Sequence, residues 1–346
     1  MNGEYVGVIH VHSVHSGELS DAYDEMLDAA CENGLDFVLL TEHYSTAFDT
    51  SAASLNGNYG SILFVAGNEV NSRPGDRFLI LPGSAEAADM RLMQSKDIVD
   101  RSRAKSGLAI VAYPESFQAW DASFDGIEVL NLNTALRTAN KAMLALDYPW
   151  SAQVDRPLAI ARYLRRPDEN LRKFDEIAAT RRVFLTAGLD AHSAIGFHLF
   201  GDELGRHAVG AKVDPYADIF RIARLHVLTN ETLTRDSLLA AVKSGSFFIG
   251  IDALGNTSGF RFTAGDAGPG SETKFAPGTT LKVSSPLPGR IVILRNGEKI
   301  AESRNATELT AEATSPGAYR VEVYRNDIGS AFSDVPWILS NPIFVR

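Results

Sequence analysis

The sequence predicts a β/α fold, open or closed into a barrel, followed by a small antiparallel β-sandwich, and three observations carry that prediction. Short apolar runs alternate with helical stretches as far as residue 255. Each run ends in a polar or charged residue. Beyond Gly255 the helical period disappears, and β runs punctuated by Gly and Pro replace it. Near-continuous apolar strands suit a parallel sheet covered on both faces, and their alternation with helices is the α/β pattern.

The elements follow in order. Tyr5 to Ile9 is the first run, and Ser20-Asp21 opens a helix that Asn33-Gly34 closes. Phe37 to Leu40 and Ile62 to Val65 come next, then Leu108 to Ala112, Ile127 to Leu130 and Val183 to Thr186. Pro167-Asp168 opens a helix through Leu171, Phe174 and Ile177. Leu225 to Leu228 and Phe247 to Ile251 are weaker strands, separated by a helix that starts at Thr234 and stops at Gly245. In the tail, Phe260 to Thr263, Thr280 to Ser284, Arg290 to Arg295 and Ala318 to Tyr324 read as strands. Asn296-Gly297 after Arg290-Ile291-Val292-Ile293-Leu294 is the favoured type I′ hairpin turn. The division expected is 1–255 for the β/α part and 256–346 for the sandwich.

Composition narrows the function. The 346 residues are 45% hydrophobic and 22% charged, enough for one large core or two smaller ones. A formal charge of -10 without a basic run argues against a nucleic-acid partner. The densest basic stretch, Arg162, Arg165, Arg166, Arg172 and Lys173, reads as a solvated helix face. Cys31 is the single cysteine, which excludes an intrachain disulfide and a thiolate zinc cage. Within Ala29-Ala30-Cys31, on a helical pattern, it is expected to be a buried thiol. No apolar run approaches the ~20 residues that span a bilayer, and Met1-Asn2-Gly3-Glu4-Tyr5 lacks the charged and apolar pattern expected of a leader. The expectation is a soluble, cytoplasmic protein with a small-molecule substrate and no membrane partner, an exported protein with a trimmed leader being the other option. Oligomeric state is not legible.

The chemistry lies where the runs end. Val8-Ile9-His10-Val11-His12-Ser13 puts two imidazoles at i and i+2, on one strand face and about 6.5–7 Å apart at Cα. Later runs end in Thr41-Glu42-His43, Gly67-Asn68-Glu69 and Gly188-Leu189-Asp190-Ala191-His192. Each motif alone is ordinary surface polarity. Together they gather at the carboxyl edge of a sheet, where α/β folds build their sites, and they point to a metal centre. His15, His198 and His207 sit in predicted loops near that edge, where substrate contact and plain exposure both remain open. Arg137 has the planar donors that suit an anionic group, against a surface role. His226, inside Leu225-His226-Val227-Leu228, reads as a hydrogen-bonded core histidine.

In this order the motifs resemble those of the PHP (polymerase and histidinol phosphatase) superfamily. The tail around Trp337-Ile338-Leu339-Ser340-Asn341-Pro342-Ile343 is similar to the sandwich of its CehA/McbA-type branch. The resemblance implies a distorted seven-stranded (β/α) barrel and a hydrolase with divalent metals (Zn, Mn or Fe), mostly acting on phosphoesters, with carbamate-type substrates in this branch. It assigns His10, His12, Glu69 and Asp190 to one metal, and His43 and His192 to another. The family completes the latter from a Ser-Asp-Gly turn; here the turn reads Ser16-Gly17-Glu18, and Glu18 is expected as the substitute ligand, an exposed carboxylate at a helix start being the alternative. Ala112-Tyr113-Pro114 stands where the family has Ala-His-Pro, so a third site loses a donor. Glu128 and Asn131 stand where another histidine is frequent. One or two metals per chain are therefore expected, with Tyr113 as a hydrogen-bond donor to substrate or leaving group and His15 and Arg137 as substrate contacts. A carbamate, ester or amide hydrolase and a noncatalytic binding protein are the rival readings.

Overall fold

The computed structural model describes residues 3–13, 19–193 and 215–346, so the expectations for His15, Glu18, His198 and His207 lie outside the described residues. Strand β1 (Gly3–Val11) is followed by helix α1 (Leu19–Glu32), β2 (Phe37–Leu40) and the short β3 (Glu42–His43). Helix α2 (Thr50–Ala53) and β4 (Gly57–Tyr59) precede β5 (Ile62–Val65), β6 (Asn68–Asn71) and β7 (Arg77–Leu81). Next come α3 (Ala87–Met90), α4 (Ser95–Ala104), β8 (Leu108–Ala112) and β9 (Gly126–Asn131). Four helices follow, α5 (Leu132–Thr138), α6 (Lys141–Ser151), α7 (Arg156–Ala161) and α8 (Asp168–Ala178), then β10 (Phe184–Gly188). Helix α9 (Tyr216–Ile219), β11 (Arg224–Thr229), α10 (Arg235–Ser244) and β12 (Phe247–Gly250) complete the first part.

The fold is mixed α/β, built on two sheets. In the larger, β1 pairs in parallel with β2, and β2 with β5. In the smaller, the order is β10-β9-β8-β7-β6-β3. The chain enters the smaller sheet from the larger at two places, through Thr41 between β2 and β3 and through Ala66-Gly67 between β5 and β6. At their carboxyl ends the sheets also touch, where Val11 bridges Ala191 in parallel and Leu189 N donates to Ile9 O at 3.1 Å. That seam brings the ends of β1 and β10 side by side.

Continuous apolar runs identified the buried strands but not their direction. β11 runs antiparallel to β1 and β12 antiparallel to β11, although both were expected in a parallel sheet. Burial on both faces demands apolar residues whichever way a strand runs. β7, between β6 and β8, is also antiparallel to both neighbours. Helix α10 matches its sequence signals, with a Thr234–Ser237 capping box and a left-handed Gly245 at φ 78°.

Beyond residue 255 the strands are β13 (Arg261–Ala264), β14 (Glu272–Thr273), β15 (Thr280–Arg295), β16 (Glu298–Glu312), β17 (Gly317–Tyr324), β18 (Pro336–Ser340) and β19 (Ile343–Val345). The expected strands at Thr280 and Arg290 are one long strand. Pro286 and Pro288 fall where its ladder to β16 skips from Ser284 to Gly289, because proline has no N–H to pair. Asn296 and Gly297, both at positive φ, make the expected hairpin turn. The sheet does not stop at residue 255. β18 pairs with β12 on one side and β17 on the other, so the larger sheet continues into the tail.

Two local expectations fail. Cys31 is exposed, because the buried stripe of α1 is Met26, Ala29 and Ala30 and position 31 falls beside it. The basic stretch is not one solvated helix face. Arg166 forks onto the buried Glu322 of β17 at 2.8 and 2.9 Å, and Arg162 binds Asp147. Among the described residues, no helix is long and apolar enough to cross a membrane.

Candidate metal centre

The site begins with a bulge. Between Ile9 and Val11 the register of β1 against β2 slips by one, and His10 takes a left-handed backbone at φ 64°. Such a bulge turns a side chain out of the regular alternation. His10 and His12 converge with ring centroids 5.2 Å apart. Asp190 at φ 50° and Tyr113 at φ 51° are bent in the same rare way. Non-glycine residues in this region cost free energy, and such strain collects at functional sites.

Four of the expected ligands meet. One ligand atom each from His10, His12, Glu69 and Asp190 lies within 4.8 Å of the others, and all four residues are buried. His10 Nε2 is 3.4 Å from Glu69 Oε2 and 3.7 Å from Asp190 Oδ1, and His12 Nε2 is 3.5 Å from each. These separations are longer than ordinary hydrogen bonds. They are close to the ~3.4 Å edge of a tetrahedron of donors about 2.1 Å from one ion. Asp190 Oδ1 is buried and accepts no hydrogen bond from the described residues. The set of two imidazoles and two carboxylates suits a divalent cation, and the cluster could hold one.

A second group shares a member with the first. His12, His43 and His192 also bring ligand atoms together, with ring centroids at 4.3 Å for His12–His43 and 4.4 Å for His12–His192. His43 Nδ1 lies 3.5 Å from Glu69 Oε2, so this carboxylate oxygen faces three imidazoles. Glu42 beside it is not part of either group. It accepts from Ser13 N at 3.0 Å and Ser54 Oγ at 2.6 Å and fixes the chain as it leaves β1.

Charge in the cluster follows from burial and neighbours. Burial pushes the Glu69 carboxyl up, but His10, His12 and His43 outweigh it and hold the group at about 2. Asp190 also resists burial, through His10, His12 and the Tyr113 hydroxyl, and stays far below the carboxylate range. His12 is driven down to about 3 by burial, with His10, His192 and His43 adding to it. His10 goes the other way: burial opposes its charge, but Glu128 and Asp190 raise it well above the usual value.

Glu128 is the residue the sequence did not assign. Its Oε1 lies 2.6 Å from His10 Nδ1, so the carboxylate holds a proton on Nδ1 while Nε2 faces the cluster, where a bound cation would displace the second proton of the imidazolium. A Cβ on Gly188 would stand 1.4 Å from that oxygen, so only glycine leaves room for the carboxylate. Asn131 is not a ligand here: its Nδ2 binds Glu128 Oε2 at 3.1 Å and its Oδ1 caps α5 through Thr134 N.

Tyr113 donates to Asp190 Oδ2 at 2.6 Å, joined on the same oxygen by Asn133 Nδ2 at 2.9 Å. Burial, then Glu69 and Asp190, push its phenol far up, so it is a neutral donor whose proton is engaged by Asp190. Arg77, also unassigned from sequence, points NH1 at Glu69 Oε1 at 3.3 Å and packs over the Tyr113 ring. Its signal was inverted: the charge precedes the apolar run Phe78-Leu79-Ile80-Leu81 because β7 runs antiparallel. The structure does not bring Arg137 into the cluster, since it is exposed in the last turn of α5.

No family model and no curated protein matches the chain. A crystal structure of PsfC from Pseudomonas syringae PB-5123 is similar at a TM-score of 0.44, with 13% sequence identity over 69% of this chain and 89% of that one. A likeness so distant does not assign a family. His226, expected as a core histidine, is buried away from this site, between Glu4 at 2.9 Å and Thr257 at 2.8 Å.

Proposed function

We propose that the chain is a metal-dependent hydrolase of phosphoesters. The observation that carries the reading is the buried convergence of His10, His12, Glu69 and Asp190, with Asp190 Oδ1 accepting no hydrogen bond among the described residues. The strand path supports the architecture that goes with it. It runs from β1 through β2–β3, β5–β6, β7, β8, β9 and β10, and returns to β1 at Val11 and Ala191. We read this as a distorted seven-stranded barrel of the PHP type, with the tail strands as its accessory sandwich.

One or two divalent cations, Zn, Mn or Fe, held there would acidify a water toward neutral pH and absorb negative charge on the substrate oxygens. The chain's own residues prepare the place. Glu128 holds a proton on His10 Nδ1, so Nε2 is the nitrogen that would lose its proton to a cation. Tyr113 and Asn133 occupy Asp190 Oδ2 and leave Oδ1 directed at the imidazoles. Tyr113 is thus a positioning group for Asp190. The stacked His43 and His192 form the more open side, His43 with 43% of its side chain exposed.

A carbamate or ester hydrolase is the second reading, favoured by Tyr113 and Asn131, whose polar atoms are committed to Asp190, Glu128 and α5. A single cation suffices to polarise a carbonyl. The test is metal analysis of protein purified without chelator, followed by assays with bis(p-nitrophenyl) phosphate, p-nitrophenyl phosphate and p-nitrophenyl acetate. At least about one metal per chain and phosphoester turnover are expected, both lost on combining Asp190→Asn with His12→Ala. Full metal content in that double variant would sink the ligand assignment. Metal without turnover of any of the three esters would favour a binding protein.

A further inference from the structure

We propose that Arg77 anchors a non-bridging oxygen of a phosphoryl group at the metal cluster, which makes the substrate an anionic phosphoester. This rests on the hydrolase reading above and selects among its substrate classes. The reversal of β7 delivers the side chain. Arg77 is the first residue of that strand, paired with Asn71 of β6 and Ala112 of β8, and therefore stands at the edge where the parallel strands end.

Two contacts fix the guanidinium. NH1 is 3.3 Å from Glu69 Oε1, and the guanidinium carbon is 4.8 Å from the Tyr113 ring centroid. Glu69 divides its oxygens: Oε2 faces His10, His12 and His43, and Oε1 faces Arg77. A single carboxylate thus spans the ligand group and the guanidinium. Of the five N–H donors of an arginine, one meets a protein acceptor among the described residues.

The side chain is 42% exposed while Glu69 is 2% exposed, so the guanidinium stands between solvent and a buried cluster. The guanidinium is the open partner of this pair, so solvent screens it while the carboxylate stays buried. A planar fork of donors fits the oxygens of a phosphoryl group. Its position decides which part of the substrate is charged. Arg77 shares Glu69 with the imidazoles, so an oxyanion reaching both lies on the reacting group itself. Phosphoesters carry charge there before reaction, whereas the carbonyls of carbamates and esters gain it only in the transition state, so affinity for a ground-state phosphate separates the classes.

The test compares wild type, Arg77→Met and Arg77→Lys by titration calorimetry with inorganic phosphate and with acetate. Each protein is measured metal-loaded and chelator-treated, with metal content determined. Arg77→Met should bind phosphate at least about tenfold more weakly, and Arg77→Lys should recover part of the loss by restoring charge without the fork. Acetate binding should change by less than about threefold. Because Arg77 touches Glu69, the chelator-treated pair separates loss of metal from loss of the guanidinium. Equal phosphate affinity of wild type and Arg77→Met in both forms overturns the proposal. So does a loss confined to acetate, which would put the anion on a carboxylate outside the reacting group. If wild type takes up no divalent metal, the hydrolase reading falls, and the chelator-treated pair still decides the role of Arg77.

Discussion

At the scale of single residues, the cluster depends on partners that hold the ligands. His10 can offer Nε2 only while Glu128 holds its Nδ1 proton, and Glu128 fits only because position 188 is glycine. Glu128→Gln keeps the shape and removes the charge, so metal affinity should fall about 10- to 100-fold with the fold intact. Competition against a chelator of known affinity measures it, and an unchanged affinity would remove Glu128 from the site. Gly188→Ala should lose at least as much, since its Cβ would displace the carboxylate. The ligands themselves were legible because each follows an apolar run. Glu128 was not, because it lies inside Ile127-Glu128-Val129, where a strand charge has no distinctive spacing. The bulge at His10 was equally hidden, since His-Val-His reads as plain alternation.

At the scale of elements, the strands of the first part were read from their apolar runs, several to the residue, while their directions were not. The antiparallel β7 was overlooked because its polar residue comes first. The join between the two parts was also invisible, since it is made by backbone pairing and by one side chain. Asn341 is fully buried after β18, and nothing in Ser340-Asn341-Pro342 distinguishes it from a surface turn. Its Oδ1 accepts from Leu185 N at 2.8 Å, and its Nδ2 donates to Leu185 O and Phe247 O at 3.2 Å. It therefore ties the tail to β10 and β12 at once. Asn341→Ala leaves these backbone groups buried without a partner, which should cost on the order of 2–4 kcal/mol. Urea unfolding at constant m-value reports the cost. A loss below about 0.5 kcal/mol would mean that the neighbouring strands find other partners.

At the scale of the whole molecule, the first strand and the tail are tied by buried charge on the side of the chain away from the metal ligands. His226 of β11 contacts Glu4 of β1 at 2.9 Å and Asp252 at 3.4 Å, in the 3-10 turn after β12. Arg224 approaches Asp252 from β11 at 3.5 Å, and Arg261 of β13 binds Glu4 at 2.7 Å. Burial pushes Glu4 up, but His226, Arg261 and the Gly259 N–H bring it down to about 2. Burial likewise opposes a charged His226, and Asp252 and Glu4 overcome it, so its pKa is raised. The two groups act in opposite directions with pH. Glu4, depressed from 4.5, contributes stability that is present above 4.5 and lost as pH falls toward about 2. His226, raised from 6.5, contributes stability that is complete below 6.5 and lost as pH rises through its folded value. Other carboxylates titrate in the acid range as well, so the informative quantity is the difference between wild type and His226→Gln. That difference should be largest near pH 5–6, where His226 is charged and Glu4 ionised, and should shrink on both the acid and the alkaline side. Urea unfolding free energies of both proteins between about pH 3 and pH 9 measure it. A difference that stays flat across that range would mean His226 is held as a neutral imidazole by Thr257, and that its packing on Phe248 rather than its charge joins the strands.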